Sequence, residues 1–238
     1  MMRTLYELTG QNNRRFSPFC WRTRMALAHK GLTQDDSTIE YVPCSFTEKD
    51  KIAFANYDRY PLLQDGETIV ADSWAIAEYL EDAYPEAPSL FGGARGPTEF
   101  LNAWADSALH PTMIKPILGD VFEHILPKDR DFFRQSRTER FGRPFEELAA
   151  EWADDKDALV AELRRALNPV RTMLRSRDWI CGPDGPAYGD YIVFGAFQWA
   201  RSISPTALLD ESDPVYAWRG RMGDLFDGYA ETTTMYPL

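Results

Sequence analysis

The spacing of apolar and polar residues changes character about a third of the way along this 238-residue chain. Before residue 85, short apolar runs typical of strands alternate with stretches of helical periodicity, whereas after residue 98 helical periodicity continues almost throughout. Between these parts lies a concentration of proline and glycine, which disfavours regular structure. The pattern therefore predicts an α/β domain in residues 1–85, a linker in residues 86–97 and an all-α domain in residues 98–238.

The first domain is predicted to contain four strands and two helices. The predicted strands are residues 4–8, 37–42, 60–64 and 68–71, and the predicted helices are residues 18–30 and 73–84. This βαβ-ββα order predicts a thioredoxin-like fold with a four-stranded mixed sheet, in which the first two strands are parallel. Asp65 and Gly66 favour a tight hairpin between the last two strands. Because a proline that opens a buried strand removes a hydrogen-bond donor, we expect Pro61 to follow a cis peptide bond.

The second domain is predicted to be entirely helical. The candidate helices are residues 98–110, 117–125, 130–141, 145–153, 156–175, 189–202 and 214–228. Five of the seven tryptophans lie in this part of the chain. Most aromatic side chains of such a domain form its core, but a pocket that faces the first domain can use a few of them.

The net charge of −11 argues against nucleic acid or an anionic membrane as a partner, since both require a basic surface. Residues 1–30 are an exception, because they hold six basic residues and the single acid Glu7, for a net charge of +5. This basic segment suggests a small anionic ligand. The alternative is that its basic side chains pair with acids elsewhere in the fold.

Cysteine and histidine provide no sign of a disulfide framework or a metal site. The three cysteines are too few and too scattered, and the three histidines lack the spacing of metal ligands; these residues are Cys20, Cys44, Cys181, His29, His110 and His124. No apolar run approaches the roughly 18 residues that a membrane span needs, and the N-terminus lacks an apolar signal segment. We therefore expect a soluble cytoplasmic protein without a metal or a membrane partner.

The start of the first helix is the strongest chemical signal. Ser17 is a preferred N-cap residue, and Pro18 suits the first helical position because its missing N–H would be unpaired there anyway. The first turn of a helix carries partial positive charge, so an anion beside Ser17 would be stabilised. An ordinary capped helix is the alternative interpretation.

The domain order and several motifs resemble the cytosolic glutathione transferases. The matching residues are Ser17-Pro18-Phe19-Cys20, Tyr60-Pro61-Leu62, the run from Asp72 to Leu80, and Asp190. The run that begins at Ser17, together with the run that begins at Asp72, is similar to the bacterial β-etherase-like and related fungal branch. The chain departs from the family at Cys20, which has no partner thiol, and in the second domain, where Ala187 replaces the serine or threonine that usually completes a capping box with Asp190.

The resemblance implies a binding site for glutathione in the first domain. The backbone of Tyr60, ahead of the cis Pro61, would pair with the cysteinyl part of glutathione as an added strand does. Asp72 and Ser73 would bind the γ-glutamyl amine and carboxylate at the start of a helix, although simple N-capping also explains this pair. Lys49 and Lys51 are candidates for the glycyl carboxylate, and a solvated surface role is the alternative for both.

Ser17 falls where the family places the residue that activates the sulfur. We interpret it as a hydrogen-bond donor to the thiolate rather than as a nucleophile, because no partner for a catalytic triad is evident. Asn12 and Asn13 are possible additional donors, and Tyr6 is a less favoured alternative activator. Cys20 lies one turn inside the helix without a partner thiol, so we interpret it as a buried packing residue.

These features favour a glutathione transferase that conjugates glutathione to hydrophobic, aromatic electrophiles, with glutathione-dependent ether cleavage as a special case. The candidate residues of the acceptor pocket are Phe16, Trp104, Met113 and Trp199. Two alternatives remain open, namely thiol-disulfide exchange through Cys20 and a binding module without catalytic activity. The resemblance also implies a homodimer.

Overall fold

The computed structural model describes residues 2–33, 38–182 and 184–237. Within the described part of the first domain, four strands and two α-helices follow one another as β1 (Arg3–Leu8), α1 (Pro18–His29), β2 (Ile39–Cys44), β3 (Leu62–Asp65), β4 (Thr68–Ala71) and α2 (Ser73–Ala83). The sheet order is β2-β1-β3-β4; β2 is parallel to β1, and the other neighbouring pairs are antiparallel. The predicted thioredoxin-like fold with a four-stranded mixed sheet is confirmed.

The strand boundaries lie within two residues of the prediction, and those of β4 match it. Strand β2 continues to Cys44, and residue 37, its predicted start, lies outside the described residues. Strand β3 begins after the Tyr60-Pro61 peptide bond, which is cis as predicted. Asp65 pairs with Thr68, so the residues of the hairpin loop are Gly66 and Glu67, and Gly66 has the positive φ of 61° that a tight loop requires.

The second part is helical, as predicted. Its described residues form α3 (Arg95–Trp104), α4 (His110–His124), α5 (Arg130–Phe141), α6 (Phe145–Asp154), α7 (Lys156–Ala166), α8 (Asn168–Leu174), α9 (Tyr188–Ile203) and α10 (Pro214–Gly228). No helix in the described ranges is long and apolar enough to cross a membrane.

Helix α3 begins at Arg95, inside the predicted linker of residues 86–97. Two further differences from the predicted helix boundaries involve proline. A π-helical turn at Ala105–Leu109 joins α3 directly to α4, so the predicted break between residues 110 and 117 does not exist. Pro116 lies inside α4, where tertiary packing outweighs the loss of one backbone hydrogen bond. In contrast, the predicted helix over residues 156–175 is divided at Leu167, because Pro169 cannot donate the hydrogen bond that would continue α7.

Helix α1 packs against α9 and thereby connects the two parts of the chain. A Cβ atom at Gly195 of α9 would lie 2.5 Å from the carbonyl oxygen of Pro18, so only glycine permits this close approach. Near the start of α9, the hydroxyl of Tyr188 donates a hydrogen bond of 2.6 Å to the carbonyl of Ser73. The first turns of α1 and α2 are therefore both held by the same helix.

The basic residues of the opening segment are engaged inside the fold. Glu7 is completely buried between the guanidinium groups of Arg15 and Arg24. The other ion pairs of this segment are Arg3 with Asp65, Arg22 with Asp106, and Lys30 with Glu81. The inference that this segment attracts an anionic ligand is therefore not supported, because its charge is largely neutralised by internal pairing, which was the alternative.

Asp190 organises the loop that precedes α9. Its buried carboxylate accepts hydrogen bonds from the backbone N–H groups of Ile180 (2.8 Å), Cys181 (3.1 Å) and Ala187 (3.2 Å). The indole N–H of Trp218 donates a fourth hydrogen bond of 3.0 Å. Ala187 has no hydroxyl to accept the N–H of Asp190, and its backbone carbonyl accepts that N–H at 2.9 Å instead.

We predict that Asp190→Ala lowers the free energy of unfolding by about 3–5 kcal/mol, because it leaves several buried N–H groups without an acceptor. Urea denaturation followed by circular dichroism measures this change. Asp224→Ala, on the exposed surface of α10, is the matched control and should change stability by less than about 0.5 kcal/mol. Equal stabilities for the two variants would contradict the assignment.

Candidate active site

The predicted binding residues of the first domain lie along one edge of the sheet. Strand β3 is antiparallel to both β1 and β4, so the end of β1, the start of β3 and the end of β4 meet at this edge. The first turn of α1 also lies here, since the N–H of Leu8 at the end of β1 contacts the sulfur of Cys20 at 3.5 Å. The fold therefore brings Ser17, Pro61 and Asp72 to the same side of the domain.

Ser17 is the N-cap of α1, as predicted. Its Oγ accepts a hydrogen bond of 3.2 Å from the backbone N–H of Cys20, and its carbonyl accepts one of 3.1 Å from the N–H of Trp21. Because Oγ acts as the acceptor towards the helix, its hydroxyl can donate its own proton, and the sulfur of Cys20 is one acceptor within its reach. Only 4% of Ser17 is exposed, which favours strong hydrogen bonding at this position.

Cys20 is packed in the core rather than presented to a ligand. Its exposure is 1%, and burial, reinforced by the negative charge of Glu7, raises the pKa of its thiol to about 12. The thiol is therefore protonated near neutral pH and has little reactivity as a nucleophile. This environment supports the interpretation of Cys20 as a packing residue.

Tyr60 and Pro61 connect the strand edge to the start of α2. The carbonyl of Pro61 accepts a hydrogen bond of 3.3 Å from the N–H of Asp72. The hydroxyl of Tyr60 donates a hydrogen bond of 2.6 Å to the carbonyl of Glu48, which fixes its ring against the segment Lys49–Ala55. One hydrogen bond thus holds each of the two residues that flank the cis peptide bond.

Asp72 adopts an unusual backbone conformation at the N-terminus of α2. Its φ of 78° is unfavourable for a residue with a side chain, at a cost of about 1–3 kcal/mol, and such conformations concentrate at functional sites. Its Oδ1 accepts hydrogen bonds from the N–H groups of Trp74 (2.8 Å) and Ala75 (3.3 Å), while the residue remains exposed. Ser73 is 1% exposed, so its hydroxyl is much less accessible than Asp72.

The structure distinguishes Lys49 from Lys51. The Nζ of Lys51 donates hydrogen bonds to the carbonyl of Pro43 (2.8 Å) and to Glu48 (3.1 Å). The Nζ of Lys49 instead lies 4.8 Å from the ring centroid of Tyr60, and partial burial lowers its pKa. Lys49 is therefore the lysine beside the strand edge whose ammonium group can approach a ligand carboxylate.

The additional candidates for thiol activation differ in position. Asn12 and Asn13 lie in an exposed turn before α1, with positive φ values of 54° and 57°. Tyr6 lies in the middle of β1, where burial raises the pKa of its phenol and thus disfavours activation of a thiol through a phenolate. A role for Asn13 stays a prediction.

The four predicted pocket residues are not all close to one another. Met113 is completely buried, and Phe16 is 2% exposed and packs against Phe46 with ring centroids 5.8 Å apart. Asp106 faces Arg22 of α1. Trp104 lies two residues earlier, so it projects from a different side of the continuous α3–α4 helix. Trp199 lies on α9 with its ring 6.2 Å from that of His110. Trp199 therefore borders the region near the start of α1, as does Phe16, which directly precedes the N-cap Ser17.

A polar cluster between α1 and the α3–α4 helix was not predicted. The buried guanidinium of Arg22 donates hydrogen bonds to Asn102 (2.7 Å) and Asp106 (3.1 Å), and it lies 4.7 Å from the ring of Phe19. His110 lies 3.3 Å from Asp106. The polar side chains of this cluster therefore lie beside the first turns of α1.

A periodic signal for this cluster is present in the sequence. Asn102, Asp106 and His110 recur every four residues, which is the spacing of one helix face, and the π-helical turn lies between the first and last of them. Their contact with Arg22 could not be inferred, since it joins residues about 80 positions apart. Across the residues that the structure describes, no group of three or more histidine, cysteine, aspartate or glutamate side chains is arranged to hold a metal ion.

Comparisons with known proteins agree with this architecture. Solved structures with a similar fold include a glutathione S-transferase of Ceriporiopsis subvermispora in complex with glutathione, which has a TM-score of 0.81 at 19% identity over 96% of this chain and 98% of that one. The glutathione transferase GSTFuA2 of Phanerochaete chrysosporium has a TM-score of 0.80 at 20% identity over 97% and 98% of the two chains.

Curated relatives match over shorter stretches. A zeta-class glutathione S-transferase of Euphorbia esula is 40% identical over 77 residues, which are 29% of this chain and 31% of the relative. The glutathione S-transferase-like protein ustS of Aspergillus flavus is 29% identical over 139 residues, or 54% of this chain and 49% of the relative. The chain thus spans a third to a half of the length of these relatives.

Family models cover most of the chain. The model of the glutathione S-transferase N-terminal domain matches residues 16–83, and the model of the C-terminal domain matches residues 98–230. The first match contains Ser17, Pro61 and Asp72, and the second contains Asp190. The chain therefore belongs to the glutathione S-transferase family.

Proposed function

We propose that this protein is a glutathione transferase of the serine type, which transfers the glutathione thiolate to hydrophobic, aromatic electrophiles. The observation that carries this proposal is the geometry of Ser17, whose Oγ accepts from the helix N–H group and leaves its proton for a sulfur anion. The buried thiol of Cys20 argues against thiol-disulfide exchange as the main activity. The resemblance to the β-etherase-like branch adds displacement of an aryloxide as a special case of the same reaction.

Glutathione would lie along the sheet edge, with its cysteinyl backbone paired to Tyr60 beside Pro61. Its γ-glutamyl ammonium would face Asp72, and its γ-glutamyl carboxylate would face the N-terminus of α2 at Ser73. The ammonium group of Lys49 would bind the glycyl carboxylate. These positions account for the exposed acid at Asp72 and for the partly buried lysine that makes no ion pair with Glu48.

Activation of the thiol requires about 2.7 kcal/mol, since a pKa lowered by about two units corresponds to that preference for the thiolate. The Ser17 hydroxyl would contribute roughly 1.5–3 kcal/mol as a hydrogen bond to a charged acceptor. The N-terminus of α1 would contribute roughly 0.3–1 kcal/mol more. The thiol proton passes to solvent, the thiolate forms the new bond to carbon, and the leaving group departs with the electrons of the broken bond.

The acceptor would bind beside the first turn of α1, between that turn and the helical part. Trp199 provides an aromatic face there, and Phe19 provides a second one, with its ring 5.3 Å from that of His110. Asp106 supplies a partly exposed carboxylate held by Arg22. We further propose a cytoplasmic homodimer, on the basis of the family resemblance.

We predict that Ser17→Ala reduces kcat/KM for conjugation of a reactive aryl chloride by about 10- to 100-fold, since the thiolate loses one charged hydrogen bond. Without this donor the pKa of the bound thiol rises, so the acid limb of the pH profile should move to higher pH by about one to two units. Steady-state kinetics between pH 5.5 and 9 measures both effects.

Ser17→Thr is the matched control, because it retains a hydroxyl and a capping oxygen, and it should keep most of the activity. An unchanged pH profile in Ser17→Ala would contradict the role of Ser17. Absence of glutathione binding by the unmodified protein in calorimetry would instead support a binding module without this activity.

A second prediction compares the two lysines. Lys49→Ala should raise the KM for glutathione by about 5- to 20-fold, because the glycyl carboxylate loses its cationic partner. Lys51→Ala removes the same charge from a lysine already bonded to Glu48 and Pro43, so its KM should change less than about twofold. The assignment fails when both variants show the same KM.

A third prediction concerns Cys20. Cys20→Ala should retain conjugation activity within about twofold per active site, since the buried thiol takes no part in the chemistry. In the folded protein, alkylation followed by peptide mass spectrometry should leave Cys20 unmodified at neutral pH. Loss of activity in a folded variant, or rapid alkylation, would restore thiol exchange as the better hypothesis.

A further inference from the structure

A small pocket lies between the end of α9, the first half of α10 and the loop that joins these helices. Its volume of about 280 Å³ corresponds to the share of roughly nine water molecules in the liquid. Phe197 and Arg201 of α9 and Arg219 of α10 line it. The pocket therefore has room for a small molecule.

Helix α9 separates this pocket from the candidate glutathione site. Gly195 of α9 is the residue that approaches the carbonyl of Pro18, in the first turn of α1. Phe197 follows Gly195 by two residues, which is about 200° around a helix, so its side chain projects to the opposite side of α9. The pocket thus lies on the far side of α9 from Ser17.

Arg219 is a buried cation without a partner. Among the residues that the structure describes, five other buried arginine and lysine side chains form ion pairs, namely those of Arg3, Arg22, Arg24, Lys30 and Arg201. Arg219 is 7% exposed, yet it forms neither an ion pair nor a hydrogen bond with any described residue. Because a buried charge without a counter-ion is costly, an anion bound here would stabilise the fold.

Two aromatic rings hold the guanidinium of Arg219 at the pocket. Its Cζ lies 4.9 Å from the ring centroid of Tyr216 and 5.8 Å from that of Phe197, and both residues line the pocket. Such contacts position the planar group without using its N–H donors. Burial, together with the charge of Arg201, lowers the pKa of Arg219 to about 10, so the group stays protonated at neutral pH. An orientated cation with free donors therefore lines the pocket.

The other charges at the pocket favour a ligand with a single negative charge. Arg201 is paired with Glu231 at 2.7 Å, so its charge is already compensated. Glu211 also lines the pocket, but its residue is exposed and forms no ion pair with Arg219. Its carboxylate would repel a second negative charge on the ligand. One positive charge, that of Arg219, is left to bind an anion.

The remaining wall favours a short aliphatic tail. Leu208, Leu209 and Ala200 line the pocket and supply apolar surface opposite the charged end. The planar fork of a guanidinium matches the two oxygens of a carboxylate. We propose that this pocket binds a short-chain aliphatic monocarboxylate, whose carboxylate pairs with Arg219 and whose tail contacts the apolar wall.

The experiment titrates butanoate into the full-length protein at low ionic strength, with isothermal titration calorimetry as the readout. Saturating S-hexylglutathione is present throughout, so that the candidate glutathione site beside Lys49 cannot take up the carboxylate. We expect saturable binding of butanoate. Binding of 1-butanol, which has the same tail without the charge, and of sulfate, a dianion without a tail, should each be at least about tenfold weaker.

Arg219→Gln should weaken the binding of butanoate by at least about tenfold, because it removes the charge and keeps a polar side chain. Arg221→Gln is the matched control, since Arg221 lies on the same helix, does not line the pocket and donates a hydrogen bond to the carbonyl of Asp178. Its affinity should stay within about twofold of that of the unmodified protein. Far-ultraviolet circular dichroism verifies that each variant is folded.

Two further measurements separate a ligand site from a structural role of Arg219. Butanoate should raise the Tm of the unmodified protein and of Arg221→Gln, but not that of Arg219→Gln, because only a ligand that binds the folded state stabilises it. Glu211→Gln, a change at an exposed position, should strengthen the binding of sulfate by at least about threefold, since the like charge beside the pocket is lost.

Several results would overturn the proposal. These are no binding of butanoate, equal affinities for butanoate and 1-butanol, equal affinities of Arg219→Gln and Arg221→Gln, and unchanged sulfate binding in Glu211→Gln. Tighter binding by a chain cut after Pro237 would also overturn it, since Arg219 would then belong to a carboxylate beyond that residue. A protein that binds butanoate through Arg219 but does not bind S-hexylglutathione would contradict only the proposed transferase function, so the two hypotheses are tested separately.

Discussion

Helix α1 is buried on nearly every side, and this burial requires that its charged residues find partners. Arg22 and Arg24 both lie within the helix, and an unpaired guanidinium at such depth would be strongly destabilising. Arg24 pairs with Glu7 of β1 inside the first domain, whereas Arg22 reaches Asp106 in the helical part. Helix α1 therefore forms ion pairs with both parts of the chain, and these contacts together fix the position of its N-terminal turn.

The candidate site depends on that placement. Ser17 caps α1, so the position of its hydroxyl follows the position of the helix. Gly195 allows α9 to approach Pro18, and Tyr188 of the same helix holds the carbonyl of Ser73 at the start of α2. Two helix N-termini that would bind different parts of one ligand are thus oriented by a single helix of the second part.

Local signals predicted much of this arrangement. The capping residue at Ser17, the proline at Pro61 and the acid at Asp72 act through their own backbone or the next turn, so the chain sequence reveals them. Helix boundaries were harder to predict from the sequence where tertiary packing opposes a local preference. Pro116 remains inside α4, where it is buried, whereas Pro169 lies in the first turn of α8, directly after the break at Leu167.

The sequence by itself determined the order of the elements, the two-part architecture and the residue types at the ends of helices and strands, because these follow from periodicity and from local hydrogen bonding. Only the tertiary structure decided which charges of the opening segment form ion pairs and which of Lys49 and Lys51 is already hydrogen-bonded. It also placed Cys20, which was predicted to be buried, beside Glu7. The same holds for the cluster around Arg22. These properties depend on contacts between residues far apart in the chain, whose energies vary with distance and burial rather than with sequence separation.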